Sequence, residues 1–198
     1  MEGETVQGIF NQKGVEKFDV FFTRDNPYGS ADERKNRMWN VQYNYEKMRK
    51  IVLEKYDKVW FCESDTIPPV TALSDMLAVD APVVSGVYVQ RHGTDDPNLF
   101  RFDERPIMNL MTWGELSASR GKVVRINGGC TGCLLLDRSV LEGFSFDLGV
   151  ARYPDFALME YCMANGIAQM GHLGVLCGHK KPTGEILWPQ DYMGDVNG

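Results

Sequence analysis

The sequence predicts an α/β fold, a mostly parallel sheet flanked by helices, and three observations carry that expectation. Short runs rich in β-branched and aromatic residues alternate with longer segments of helical period, the pattern of strand–helix–strand units. One run, Val59–Cys62, is apolar throughout, as a strand covered on both faces must be. The chain has 198 residues, 43% of them hydrophobic, which is material for one sizeable core.

The elements follow in order. Residues 1–7 read as a helix. Lys17–Thr23 (KFDVFFT) reads as a strand, and the polar stretch DNPYGSADE after it as a loop. From Glu33 to Tyr56 a long helix is expected, because Met38, Val41, Tyr45, Met48 and Val52 recur at steps of three and four. The Val59–Cys62 strand ends in Glu63-Ser64-Asp65, and Pro68-Pro69 cannot continue it. Pro69–Leu77 reads as a short helix with proline in its first turn. Ala81–Val89, Lys122–Ile126 and Cys133–Leu136 read as strands, Asp155–Asn165 as a helix capped by Gly166, and Ile167–Cys177 as containing a last strand. Arg91–Gly121 lacks period and is expected as a loop or small hairpin over the sheet edge. The expected organisation is one domain over 1–181, with 182–198 a tail or lid.

A net charge of −6 and a pI near 5.1 argue against a surface built to grip nucleic acid by neutralising phosphates. No apolar run approaches the roughly 18 residues of a membrane span, and no leader signal opens the sequence. Five cysteines, an odd number in a chain of this size, fit reduced thiols and a cytoplasmic setting.

The stretch DKVWFCESDTIPP (57–69) carries the most chemistry. In open α/β sheets, ligands bind just beyond the carboxyl ends of strands. Two carboxylates one residue apart there, Glu63 and Asp65, suit a hard divalent cation, Mg²⁺ or Mn²⁺, that bridges protein oxygens to phosphate. A solvated strand end with incidental acids is the competing reading. His179, after the Val-Leu-Cys run and Gly178, could supply a further ligand or be a surface residue beside Lys180-Lys181. His172 reads as structural or exposed, and His92, in the polar excursion, could meet substrate, although an ordinary loop histidine is the favoured reading. Cys130-Thr131-Gly132-Cys133 could join Cys177 and His179 around zinc, but small core cysteines beside glycines fit better.

Four segments in one order resemble the GT-A glycosyltransferases of the family-2-like type, especially the compact phage and bacterial members. ESD resembles their DxD-type metal motif. INGGCTGCLLLDRSVLEGFSF is similar to their glycine-rich acceptor-side strand. YPDFALMEYCMANGIA resembles their Glu-Asp…Gly helix, with Asp155 in the Asp place and Gly166 eleven residues on. LGVLCGHKKP resembles the strand-end histidine that completes the metal site. Two departures stand beside these. The usual first strand is missing ahead of the opening helix, and Pro154 replaces the Glu that precedes the helix Asp.

The resemblance implies a metal-dependent transferase that moves a sugar from a UDP- or GDP-sugar to an acceptor hydroxyl. It implies Asp65, Glu63 and His179 around Mn²⁺ or Mg²⁺, with Glu63 or Asp65 also toward the donor, and Asn44 and Arg91 in donor contact. Asp155 would be the general base, or a plain helix cap. Gly128, Gly129 and Gly132 would let backbone approach the acceptor, or form a tight turn. The alternatives are a non-catalytic, degenerate sugar- or nucleotide-binding module, a nucleotidyltransferase, and a zinc-binding CxxC module. A phosphate loop followed by Lys, which a nucleotidyltransferase would need, does not occur.

Overall fold

A computed structural model describes residues 3–23, 25–29, 32–90, 94–104 and 108–194. Arg91 and His92 lie outside the described residues. Helix α1 (Gly3–Phe10) is followed by the long α2 (Glu33–Lys55), whose N-terminus is capped by the Asp32 carboxylate accepting from the Lys35 amide. Strand β1 (Lys58–Cys62), the two-residue β2 (Thr66–Ile67), α3 (Ala72–Leu77) and β3 (Val83–Val87) come next. Then follow β4 (Leu99–Arg101), α4 (Trp113–Ala118), β5 (Val123–Gly129), β6 (Cys133–Asp137), α5 (Arg138–Gly143) and α6 (Pro154–Ala164). The chain closes with β7 (Gln169–Leu176), β8 (Gly178–Lys180) and β9 (Ile186–Leu187).

Six strands form one sheet in the order β1-β6-β3-β7-β5-β4, and β2, β8 and β9 form a second, small one. The large sheet is mixed, which corrects the expectation of a mostly parallel one. Its single parallel pair is β3 with β7; the other four pairings are antiparallel. The reason lies at Cys130–Gly132. No helix separates β5 from β6 there, so the chain continues in one direction and enters the sheet twice, antiparallel to its neighbours both times.

The strands alternate their side chains between two cores. Val83, Leu134 and Leu136 pack with Val52, Phe146 and Leu158 on the face covered by α2, α5 and α6. Val84, Cys133 and Leu135 pack with Leu73 and Met76 of α3 on the other. A third cluster around Leu99, Leu116, Ile126 and Leu173 closes the β4 end. The excursion expected over 91–121 therefore contributes the edge strand β4 and the helix α4. α4 starts in a capping box, Thr112 and Glu115 satisfying one another's backbone amides.

Two further outcomes shape the site. Lys17–Thr23, where the sequence predicts a strand, has no regular secondary structure and belongs to no ladder among the described residues. The tail is not a free end: β8 and β9 tie 178–187 to β2.

Candidate active site

Beyond β1 the chain turns sharply, the Thr66 amide donating to the Glu63 carbonyl across 3.0 Å. The turn is fixed from the neighbouring strand, because the Glu63 amide donates to the Gly132 carbonyl at 3.1 Å. Both carboxylates of the ESD element thus sit at the strand end, on a turn fixed by backbone hydrogen bonds.

Glu63 is oriented by two hydroxyls. Tyr45 of α2 donates to its Oε1 at 2.9 Å and Thr131 at 3.1 Å, and Tyr45 and Thr131 are themselves 2.8 Å apart. The helical period of α2 explains why Tyr45 is there: it shares the sheet-facing stripe with Met48 and Val52, and its ring packs against Phe61 and Phe146. Burial, with Glu63's charge adding to it, raises the Tyr45 phenol well above its ordinary range.

Asp65 meets His179 through the small sheet. Thr66 of β2 pairs with His179 of β8, and the Lys180 amide donates to the Asp65 carbonyl at 2.9 Å. The His179 ring lies against Tyr88, with centroids 5.0 Å apart, and its Nδ1 is 2.6 Å from the Val89 carbonyl. A carbonyl only accepts, so Nδ1 carries the hydrogen, and in the neutral ring Nε2 presents a lone pair. That Nε2 makes no hydrogen bond among the described residues and lies 3.5 Å from Asp65 Oδ1.

An imidazole lone pair and a carboxylate oxygen at that separation suit a shared cation, and a backbone carbonyl orienting the other ring nitrogen is how metal-ligating histidines are held. Among the described residues no group of three or more His, Cys, Asp or Glu side chains is arranged to hold a metal ion, so Glu63 does not join Asp65 and His179 as a third ligand. A hard cation here would thus complete its shell with water and phosphate oxygens, as Mg²⁺ commonly does.

Asp155 stands at the second position of α6, after Pro154, and its Oδ1 accepts from the Phe156 amide at 2.9 Å. It is not the N-cap; Tyr153 is. Burial pushes its carboxyl up to about 6, and Glu63 lies close enough to add to the rise. Cys130, raised by burial and by the Asp155 charge, sits beside it. The loop leading to Asp155 hangs from two buried polar residues of α2 that sequence reasoning missed. Glu46 accepts from the Phe146 amide at 2.9 Å and the Ser145 hydroxyl at 3.1 Å, and Gln42 donates to the carbonyls of Val150 and Arg152. The signal was a polar pair, four residues apart, beside the apolar stripe.

The remaining expected residues are placed as follows. Asn44 clamps the preceding loop: it accepts from the Asp25 amide and the Thr23 hydroxyl and donates to the Asp25 carbonyl. Gly128, Gly129 and Gly132 are used inside the protein, since a side chain at each would run into Met159, Ser85 or Tyr88 respectively. Arg91 lies outside the described residues. The cysteines are free thiols, and the Cys133 thiol donates to the Met76 sulfur at 3.7 Å in the core. His172, on β7, accepts from the Gly174 amide and takes no part in the site.

A cavity of about 710 Å³ adjoins the Glu63–Asp65 turn and runs along the outer edge of β1. No helix is long and apolar enough to cross a membrane, among the described residues. No protein-family model matches the chain, and no curated protein does. Among solved structures the chain resembles A197 from STIV, with a TM-score of 0.54, 16% identity and 80% of each chain covered. That likeness bears on the fold alone.

Proposed function

We propose that the chain is a metal-dependent glycosyltransferase that moves a sugar from a nucleotide-sugar to an acceptor hydroxyl. The observation that carries the reading is the approach of His179 Nε2 to Asp65 Oδ1, at the end of an apolar strand and beside a second, oriented carboxylate. Asp65 and His179 would hold Mn²⁺ or Mg²⁺. When bound, the cation supplies Lewis-acid neutralisation of the departing diphosphate. Glu63, fixed by Tyr45 and Thr131, cannot swing away and keeps one orientation toward the donor. Asp155 takes the proton of the acceptor hydroxyl. A carboxyl raised to about 6 is ionised at pH 7 yet more basic than an exposed one, which suits that work.

Turnover of UDP- and GDP-sugars with and without Mn²⁺ tests the proposal. Metal-dependent release of free nucleotide supports it. Metal-dependent binding of nucleotide without release would instead mark a non-catalytic binding module.

A further inference from the structure

We propose that Tyr88 is a positioning residue that couples the two halves of the site, holding the His179 ring with its own ring and the Glu63 turn with its hydroxyl. This role rests on the proposed cation site at Asp65 and His179 and on Glu63 facing the donor. Tyr88 directly follows β3, a strand paired on both sides, and is 4% exposed. Its backbone is fixed at both ends. The Tyr88 amide donates to Asn98 Oδ1 at 2.8 Å, and its carbonyl accepts from the Asn98 amide at 3.1 Å. Asn98 is itself fully buried, with Nδ2 donating to the Gly86 carbonyl at 3.0 Å. The side chain therefore leaves from a rigid point.

From there the ring meets His179 edge to face, at an interplanar angle of 78°. The next carbonyl along the chain, that of Val89, accepts from His179 Nδ1. Two consecutive residues thus fix the imidazole, one by its ring plane and the other by its tautomer. At the far end of the side chain, the Tyr88 hydroxyl oxygen accepts from the Gly132 amide at 3.1 Å. The Gly132 carbonyl in turn accepts from the Glu63 amide. Cys62 and Cys133 form the last rung between β1 and β6, and beyond it the buried Gly132 amide finds its acceptor in the phenol. Glycine at 132 leaves room for this, since a Cβ there would stand 2.7 Å from Tyr88 Cζ. Burial raises the phenol well above its ordinary range, and the charges of Cys130 and Glu63 add to the rise, so the phenol stays neutral. One side chain therefore touches the cation side of the site through its ring and the Glu63 side through its hydroxyl.

Three variants of the whole chain test the coupling: Tyr88→Phe, Tyr88→Leu and, as a control, Leu116→Ala in the cluster at the β4 end. Each is measured for Mn²⁺ Kd by calorimetry, for UDP and GDP Kd at saturating Mn²⁺, and for Tm. Tyr88→Phe keeps the ring against His179 and deprives only the Gly132 amide of its acceptor. Its Mn²⁺ Kd should match the wild type, while its nucleotide Kd rises about 2–10-fold, the share of one hydrogen bond. Tyr88→Leu loses the ring as well and should also weaken Mn²⁺ binding by about 10–100-fold, as loss of a ligand's support does. Leu116→Ala opens a core cavity and lowers Tm at least as far, yet should move neither Kd. A residue that only filled space would behave as Leu116 does. Wild-type Kd values in both Tyr88 variants, equal Mn²⁺ losses in the two, or matching Kd shifts in the Leu116 variant would overturn the coupling and leave the site standing. A wild-type chain that binds no nucleotide with Mn²⁺ would instead remove the donor reading and, with it, the role of Tyr88.

Discussion

The Tyr45 hydroxyl donates to Glu63 Oε1 across 2.9 Å, tying the middle of α2 to the end of β1. Thr131, from the bend between β5 and β6, completes the triangle. Three parts of the chain far apart in sequence thus determine where one carboxylate points.

Tyr45→Phe keeps the ring between Phe61 and Phe146 and removes only that donor. A stability loss of about 0.5–1.5 kcal/mol is expected, the net worth of one hydrogen bond, because Thr131 still donates to Glu63. If Glu63 is held for the donor, KM for the nucleotide-sugar should also rise. Urea unfolding and steady-state kinetics on the one variant read both.

Asp65→Ala should abolish Mn²⁺-dependent nucleotide binding and leave the melting temperature near that of the wild type, because the residue sits on a turn. His179→Ala should weaken metal binding as well, whereas His172→Ala should not, since His172 bonds only within its own strand end. Mn²⁺ titrations by calorimetry compare the three. A wild-type isotherm for the Asp65 variant would dismiss the metal assignment.

Asp155 sets a pH dependence whose sign is fixed. Its carboxyl titrates near 6 in the folded chain and 3.8 is its ordinary value, so between those values the folded state binds more protons. Stability therefore falls as pH rises from about 4 through 6 and levels off above about 7. Asp155→Asn removes this slope and should be more stable than wild type at pH 8 by about 1–3 kcal/mol. Transfer should nevertheless drop by about 10²–10⁴-fold, the range a lost general base costs. Denaturation at pH 4 and pH 8, with turnover at pH 8, gives both numbers; normal turnover would leave Asp155 structural.

Gly128→Ala should destabilise by about 1–3 kcal/mol through overpacking, because the added methyl overlaps Met159. Gly128→Ala with Met159→Ala should recover part of that loss. Recovery would identify the glycine as a packing residue rather than a substrate contact.

Much of the layout was legible in the sequence. The 3.6-residue period located α2 within one residue at its C-terminal end, and the apolar run before ESD located β1, because both signals come from burial along a single element. Strand direction was not legible. Alternating strand and helix implies parallel pairing, and nothing in INGGCTGCLLLD announces that two strands of one direction follow without a helix between them. Among site residues, Asp65 approaches His179, and Glu63 lies near enough to Asp155 to help raise its carboxyl. The glycines and Asn44 were read toward a ligand, whereas their nearest partners are Met159, Ser85, Tyr88 and the loop at Asp25. Those contacts join residues distant in sequence, and single-sequence patterns do not carry such pairings.

The order β1-β6-β3-β7-β5-β4 also has a consequence for synthesis on the ribosome. No ladder of the large sheet can begin before β5 emerges, and β1 waits for β6, from residue 62 to residue 133. At translation rates of about 5–20 residues per second that interval lasts roughly 4–14 s. Throughout it Val59, Trp60 and Phe61 travel as an unpaired apolar segment, and the later pairings all close long loops, which slows folding. Yield of native chain should accordingly respond to slower elongation and to chaperones that shield nascent apolar segments, more than to surface substitutions that alter final stability.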